Sequence, residues 1–397
     1  MRRLFVLSCG FYLLIGITSV ILGPLLPTLL KHYGRDYSDG GTLLFLQFIG
    51  FLVGVLVSPM ISARLGRKSM LLIALISITA ACAVIGFLPM WIWVVCMTII
   101  IGFGSGMIES SIGAFTIEFA EQGKAVAMTK LDVYFGVGAL LIPIAASLYI
   151  RFDVWQFTFF STSVITLVLM LLWITMPAES SKLLRIQSIE SPEAPAHKKR
   201  YQRRHLSLLT IFVFFFFIYM GLELGLMNFL PSILIETASV NESVASLSVT
   251  MLWVAMVIGR LFVGKIAESI RYIPFLLWST IGTLFFTIAM LLISNVIATY
   301  LLIFAIGICM CGLFSITLVY ANSLIPGMTE RTTSILIAAG GIGGAVLQYG
   351  IGWGMARWPA SSAIWILAGF SLVLLLAIGL SYQWNMRSKT SGNSLTI

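Results

Sequence analysis

Apolar runs of 18 or more residues recur along this sequence of 397 residues from one end to the other. A helix of about 20 residues crosses the hydrocarbon core of a bilayer, so each run is long enough to span one. Twelve are predicted, at residues 4–30, 42–63, 69–89, 91–118, 126–149, 155–176, 206–235, 244–266, 273–294, 296–325, 332–356 and 361–384. Stretches such as LLIALISITAACAVIGFL lack the alternation of a barrel strand. Helices, which satisfy their backbone groups internally, are then the expected spanning structure. With 59% hydrophobic and only 10% charged residues, there is too little polar surface for a soluble domain. The fold class read from the sequence is an all-α membrane protein.

The first run is too long for a signal peptide and has no small-residue cleavage site, so it reads as a retained helix. Cys9, Cys82, Cys96, Cys309 and Cys311 all fall in predicted spans without metal-site spacing and read as core residues. With both termini placed in the cytoplasm, 19 of the 24 Lys and Arg fall on the cytoplasmic side. Lys31, Arg35, Arg151 and Arg357 fall outside, and Arg260 lies in a span. The positive-inside rule therefore supports a multi-pass protein of the cell membrane with cytoplasmic termini, and the net charge of +9 reflects topology rather than nucleic-acid binding.

Residues 178–205 form the one long polar stretch, and they divide the spans into a first half at 1–177 and a second at 206–397. The halves echo one another at an offset of about 205: PLLPTLLK against NFLPSILI, VGVLVSPM against IGRLFVGK, IIIGFG against FAIGIC, and FGVGALLIP against GGIGGAVLQ. Two pseudo-symmetric six-helix halves joined by a basic loop resemble the plan of the major facilitator superfamily, in which a central site is exposed alternately to each side. That superfamily's signature after its second helix, Gly-x-x-x-Asp-Arg-x-Gly-Arg-Lys, is matched by Arg64, Gly66, Arg67 and Lys68, whereas Pro59 and Ala63 replace its glycine and aspartate. GKIAESIR in the second half keeps Gly264 and Glu268. The resemblance implies a cytoplasmic gate or brace at both places, built on charge pairs.

Charges inside membrane spans are costly and mark functional positions by default. Glu109 shares a helical face with Gly102, Gly106 and Gly113, which predicts a seam within the bundle rather than a lipid-facing position. Its role is to carry a proton or contact a solute, or else to make a structural hydrogen bond. Asp132, on a small-residue face with Gly136, Ala139 and Pro143, is expected either to face Glu109 or to pair with a base such as Lys130. Glu223 is placed mid-helix with Tyr219 one turn earlier, and Asn228 and Pro231 suggest a helix break nearby. Glu223 is expected to be a ligand to solute hydroxyls or a coupling ion, or else to make a hydrogen bond across the interface between the halves. Gln47, Trp253, Asn322 and Gln348 complete a predicted mid-membrane polar set, with Trp253 as an aromatic platform suited to a polyhydroxyl solute. Helix-to-helix hydrogen bonding is the competing role for each. Arg260 is expected to brace Glu268 or a helix carbonyl.

GFGSGMIESSIGAF resembles the helix-four stretch of the fucose/galactose/glucose:proton symporters, and FLQFIGFLVGVL, KLDVYFGVGALLIP, GLELGLMNFLPSIL and LWVAMVIGRLFVG are similar to other helices of that group, its bacterial glucose/proton symporters especially. The resemblance implies a monomeric secondary transporter that takes up a hexose-like solute with a proton, with Glu109 in sugar binding and proton coupling. The fucose branch's helix-one aspartate has no counterpart between Arg3 and Lys31, which shifts that role to Glu109, Asp132 or Glu223. No phosphate-cradling loop, His cluster or nucleophile constellation is present, so no cofactor, metal or enzymatic reaction is expected. The rivals are a proton-driven exporter on the same fold, whose helix-five Gly-Pro element is missing from FGVGALLIPIAA, and a non-transporting sensor or scaffold.

Overall fold

A chain with so few polar side chains in its long runs must pair its backbone groups within each run, and it does. The computed structural model describes residues 2–119, 124–176, 203–293, 295–325 and 329–390. The regular elements among them are helices. Most of the predicted linker, residues 178–202, and the side chains of Asp132 and Glu268 lie outside the described residues.

The first seven helices are α1 (Arg2–Val20), α2 (Leu22–Tyr33), α3 (Tyr37–Leu65), α4 (Arg67–Gly86), α5 (Trp91–Phe119), α6 (Lys124–Arg151) and α7 (Phe157–Ile174). After the linker come α8 (Arg203–Ala238), α9 (Glu242–Ile270), α10 (Tyr272–Ala289), α11 (Val296–Met310), α12 (Leu313–Leu324), α13 (Thr329–Arg357) and α14 (Ser361–Thr390). Together they make twelve segments long and apolar enough to cross a membrane. Two of these segments are divided. Leu4–Tyr33 is interrupted at Ile21, and Val296–Leu324 at Cys311 and Gly312. In contrast α8 runs unbroken through Pro231, so the predicted break beside Asn228 does not form.

Local chemistry fixes several helix starts. The side chains of Asp36, Asn241 and Asn295 accept hydrogen bonds from the backbone N–H groups of Asp39, Val244 and Ala298, at 2.9, 2.8 and 3.1 Å. Each satisfies a donor that the first helical turn leaves without an internal partner.

The chain divides into two compact units, Met1–Ala194 with Asn241–Thr250, and Pro195–Val240 with Met251–Ile397. The sequence division placed 241–250 in the second half. Residues of this stretch make polar contacts within the first unit. Glu242 accepts from Thr28 at 2.5 Å and from Lys31 at 2.9 Å. Ser243 donates to the Ser147 carbonyl at 2.8 Å, and the two hydroxyls lie 3.0 Å apart.

Within the first unit, α3 and α5 pack backbone against backbone. A Cβ built on Gly50 or Gly54 would collide with the carbonyl oxygens of Ile99 or Phe103, and one built on Gly102 or Gly106 with those of Gln47 or Phe51. The glycines of each helix thus accommodate the carbonyls of the other. Gly16 on α1 and Gly138 on α6 make the same reciprocal arrangement against Phe135 and Leu13. In the second unit Gly343 of α13 admits the carbonyl of Phe217 on α8. Close approach of this kind is the packing expected where helices associate without a hydrophobic driving force.

Candidate functional site

In the first unit the predicted seam around Glu109 exists, and α3 is its other wall. Gly102 and Gly106 meet Gln47 and Phe51, while Gly113 leaves room for the Tyr12 hydroxyl, which would stand 3.3 Å from an added Cβ. Glu109 itself is half-buried at that level. Gln47 is tied to the same neighbourhood: its amide nitrogen donates to the Thr18 carbonyl at 2.9 Å, and the Thr18 hydroxyl lies 2.8 Å from that of buried Ser105. Thr18 and Ser105 were not singled out in the sequence. A lone hydroxyl in an apolar run carries no periodic signal, and only the folded chain brings the two together. The predicted meeting of Asp132 with Glu109 lies outside the described residues.

In the second unit the buried acid has a partner that spacing did not foretell. Arg260 on α9 places a guanidinium nitrogen 3.8 Å from Glu223 on α8, and the same group lies over the Trp253 ring with its carbon 5.7 Å from the centroid. Trp253 is only 1% exposed, so the ring is a seat for Arg260 and not an open platform for a sugar face. The predicted Arg260 brace to Glu268 or a helix carbonyl involves a side chain, that of Glu268, outside the described residues. Tyr219, one turn before Glu223, is fully buried with its hydroxyl beside the Glu223 carboxylate.

Asn228 and Gln348 are also brought together. The Asn228 amide donates to the Gln348 side-chain carbonyl at 2.7 Å, and Gln348 donates onward to the Gly344 carbonyl at 2.9 Å. Both are buried, and the Asn228 side-chain oxygen is left without a partner among the described residues. Asn322 lies near the end of its span. It stands two residues before the end of α12, where it donates to Thr333 at 2.9 Å.

The residues at the predicted first-half gate make contacts of several kinds. Arg64 is exposed, Arg67 lies over the Phe115 ring at 5.8 Å, and Lys68 donates to the Met176 carbonyl at 3.5 Å. Trp173 returns a hydrogen bond to the Lys68 carbonyl at 3.1 Å, so the start of α4 is fastened to the end of α7. Among the described residues no group of three His, Cys, Asp or Glu is arranged to hold a metal ion.

Residues 8–346 match the Major Facilitator Superfamily. The chain belongs to that superfamily. It is accordingly a multi-pass membrane transporter and not an enzyme. Among superfamily relatives, the chain is 29% identical over 393 residues to the glucose/mannose transporter GlcP of Bacillus subtilis, covering 98% of this chain and 96% of that one. Solved structures of the same fold include a D-xylose-proton symporter, with a TM-score of 0.73 at 16% identity over 96% of this chain and 97% of that one. Another is the nucleoside transporter NupG, with a TM-score of 0.74 at 14% identity over 96% of this chain and 99% of that one.

Proposed function

We propose that the protein is a secondary active transporter that takes up a hexose, or a similar small polyhydroxyl solute, together with a proton. The observation that carries this reading is the likeness to a glucose/mannose transporter along nearly the whole of both chains. The residues give it a chemical basis. Glu109 lies half-buried in a glycine-lined seam of apolar helices, a setting in which an acid can exchange a proton when its access to water changes. Gln47 in the first unit, and Tyr219, Glu223, Asn228 and Gln348 in the second, supply donors and acceptors suited to hydroxyls. Asp132 is a second candidate for the proton. Uptake would proceed by alternating access in the cell membrane, with a monomeric chain whose termini face the cytoplasm; the distribution of Lys and Arg supports that orientation.

The test is uptake by proteoliposomes across a panel of hexoses, with and without an imposed pH gradient, for wild type and Glu109→Gln. Gradient-driven accumulation is expected in the wild type and is expected to be lost in Glu109→Gln, with solute exchange retained. Accumulation unchanged in the variant would remove Glu109 from the mechanism, and no uptake of any hexose by the wild type would overturn the substrate class.

A further inference from the structure

In the second unit an intramembrane acid and an intramembrane base stand side by side. A guanidinium nitrogen of Arg260 on α9 lies 3.8 Å from a carboxylate oxygen of Glu223 on α8. The acid is the more enclosed of the two, its side chain 9% exposed against 36% for Arg260. A carboxyl closed in by apolar helices takes up a proton rather than keep an uncompensated charge. Arginine has no such escape, because its guanidinium stays protonated in proteins. The pair therefore joins an acid that could become neutral to a base that could not.

The surroundings fix the base in place. Its guanidinium rests over the buried Trp253 ring two turns earlier on α9, and the backbone beside it is tight, since a Cβ on Gly259 would stand 2.5 Å from the Cys311 sulfur. On the acid's own helix, the Tyr219 ring is stacked on Phe215 and packed against Phe314, with its hydroxyl beside the Glu223 carboxylate. The neighbouring walls are uncharged: next to Glu223 along α8, Gly221 and Leu224 meet Leu347 and Gly344 of α13, and Gly225 meets Ile351 of α13 and Leu367 of α14. Among the described residues, the charged and titratable groups gathered here are thus Glu223, Arg260, Tyr219 and the Cys311 thiol. Tyrosine and cysteine are far weaker acids than a carboxyl, so the state of Glu223 turns on Arg260.

We propose that Arg260 is a positioning residue that holds Glu223 as a permanent anion, so that Glu223 serves as a fixed hydrogen-bond acceptor and does not carry the transported proton. The assignment rests on the reading of the chain as a proton-coupled transporter and narrows which acids do the coupling. An ionised carboxylate offers only lone pairs, and the adjacent Tyr219 hydroxyl supplies the donor. The proton is then left to acids of the first unit, Glu109 and Asp132.

The experiment is infrared difference spectroscopy of the full chain in lipid vesicles, following the carbonyl stretch that a carboxyl shows only when protonated, as the pH is lowered from neutral to mildly acidic. The Glu223 contribution is the spectrum of each protein minus that of the same protein carrying Glu223→Gln. It is expected to be absent in the wild type throughout, and in Arg260→Lys, which keeps a cation. In Arg260→Gln a signal of one protonated carboxyl per chain is expected at neutral pH. A Glu223 signal in the wild type would overturn the proposal, because the acid would then take a proton beside its counter-ion. So would no signal in a folded Arg260→Gln, or a signal in Arg260→Lys as strong as in Arg260→Gln. If Arg260→Gln does not fold, Arg260→Gln with Glu223→Gln is expected to fold, because it buries no unpaired charge; failure of both would reduce Arg260 to a packing residue and overturn the proposal. No solute or gradient enters the measurement, so its outcome is separable from the hexose reading.

Discussion

Replacing Gly106 by alanine perturbs the α3–α5 seam at a single atom, three residues from Glu109. The added Cβ would stand 2.1 Å from the Phe51 carbonyl oxygen, whereas ordinary contact begins at 3.4 Å, so the two helices must separate by about 1.3 Å at this level. The obstacle is backbone on an opposing helix, which cannot rotate away as a flexible side chain can. Overpacking of this kind costs about 1–3 kcal/mol. Alanine's better helix propensity returns up to about 1 kcal/mol. With the full return the net loss is up to about 2 kcal/mol, which corresponds to a fall of up to roughly thirty-fold in the ratio of folded to unfolded protein. Gly379→Ala is the control, because nothing lies within 4 Å of its added Cβ and only the propensity gain remains. The assay is the apparent Tm of each purified variant in detergent, followed by gradient-driven uptake in proteoliposomes. Gly106→Ala should melt below the wild type and lose uptake, while Gly379→Ala melts at or above it. Equal melting of the two variants would refute the claim that backbone contact sets the seam.

Arg260→Gln should destabilise the protein by about 3 kcal/mol by leaving Glu223 buried without its partner, and Glu223→Gln in addition should recover part of the loss; strictly additive effects on Tm would show that the 3.8 Å approach carries no coupling. Asn228→Leu should cost about 1–3 kcal/mol by stranding the Gln348 side-chain oxygen, and adding Gln348→Leu should cost little more, because the unmatched partner is then removed as well. A cysteine pair at positions 147 and 243, whose hydroxyls lie 3.0 Å apart, should form a disulfide under oxidation and block uptake, with reductant restoring it; full uptake by the cross-linked protein would show that this contact never opens during transport.

How much of this was legible in the sequence depends on the range of the interaction involved. The spans were readable because membrane helices satisfy their own backbone, so the only information needed is local. The Glu109 seam was readable for the same reason, since the spacing of Gly102, Gly106 and Gly113 places them on one helical face. That α3 is the opposing wall was not, because no local pattern names a partner helix. Glu223 and Arg260 show the same limit: each was recognisable as a costly intramembrane charge, but their pairing is set by how α8 and α9 pack. The expected break at Pro231 failed because a proline removes one backbone donor, and the surrounding helical bonds of α8 are enough to carry it through. Asn322 was grouped with the mid-span polar residues by its chemistry alone, whereas its position near the end of the tenth span is where it meets Thr333.

Helix α9 begins in one compact unit and continues in the other, and between Glu242 and Ile258 it contains neither glycine nor proline. Such a rod has no soft point at which to flex. Its tip, by contrast, is held by an exposed ion pair and by a few hydrogen bonds of about 0.5–1.5 kcal/mol each. A change at that end of α9 is therefore easier to accommodate by releasing those few polar contacts than by bending the shaft.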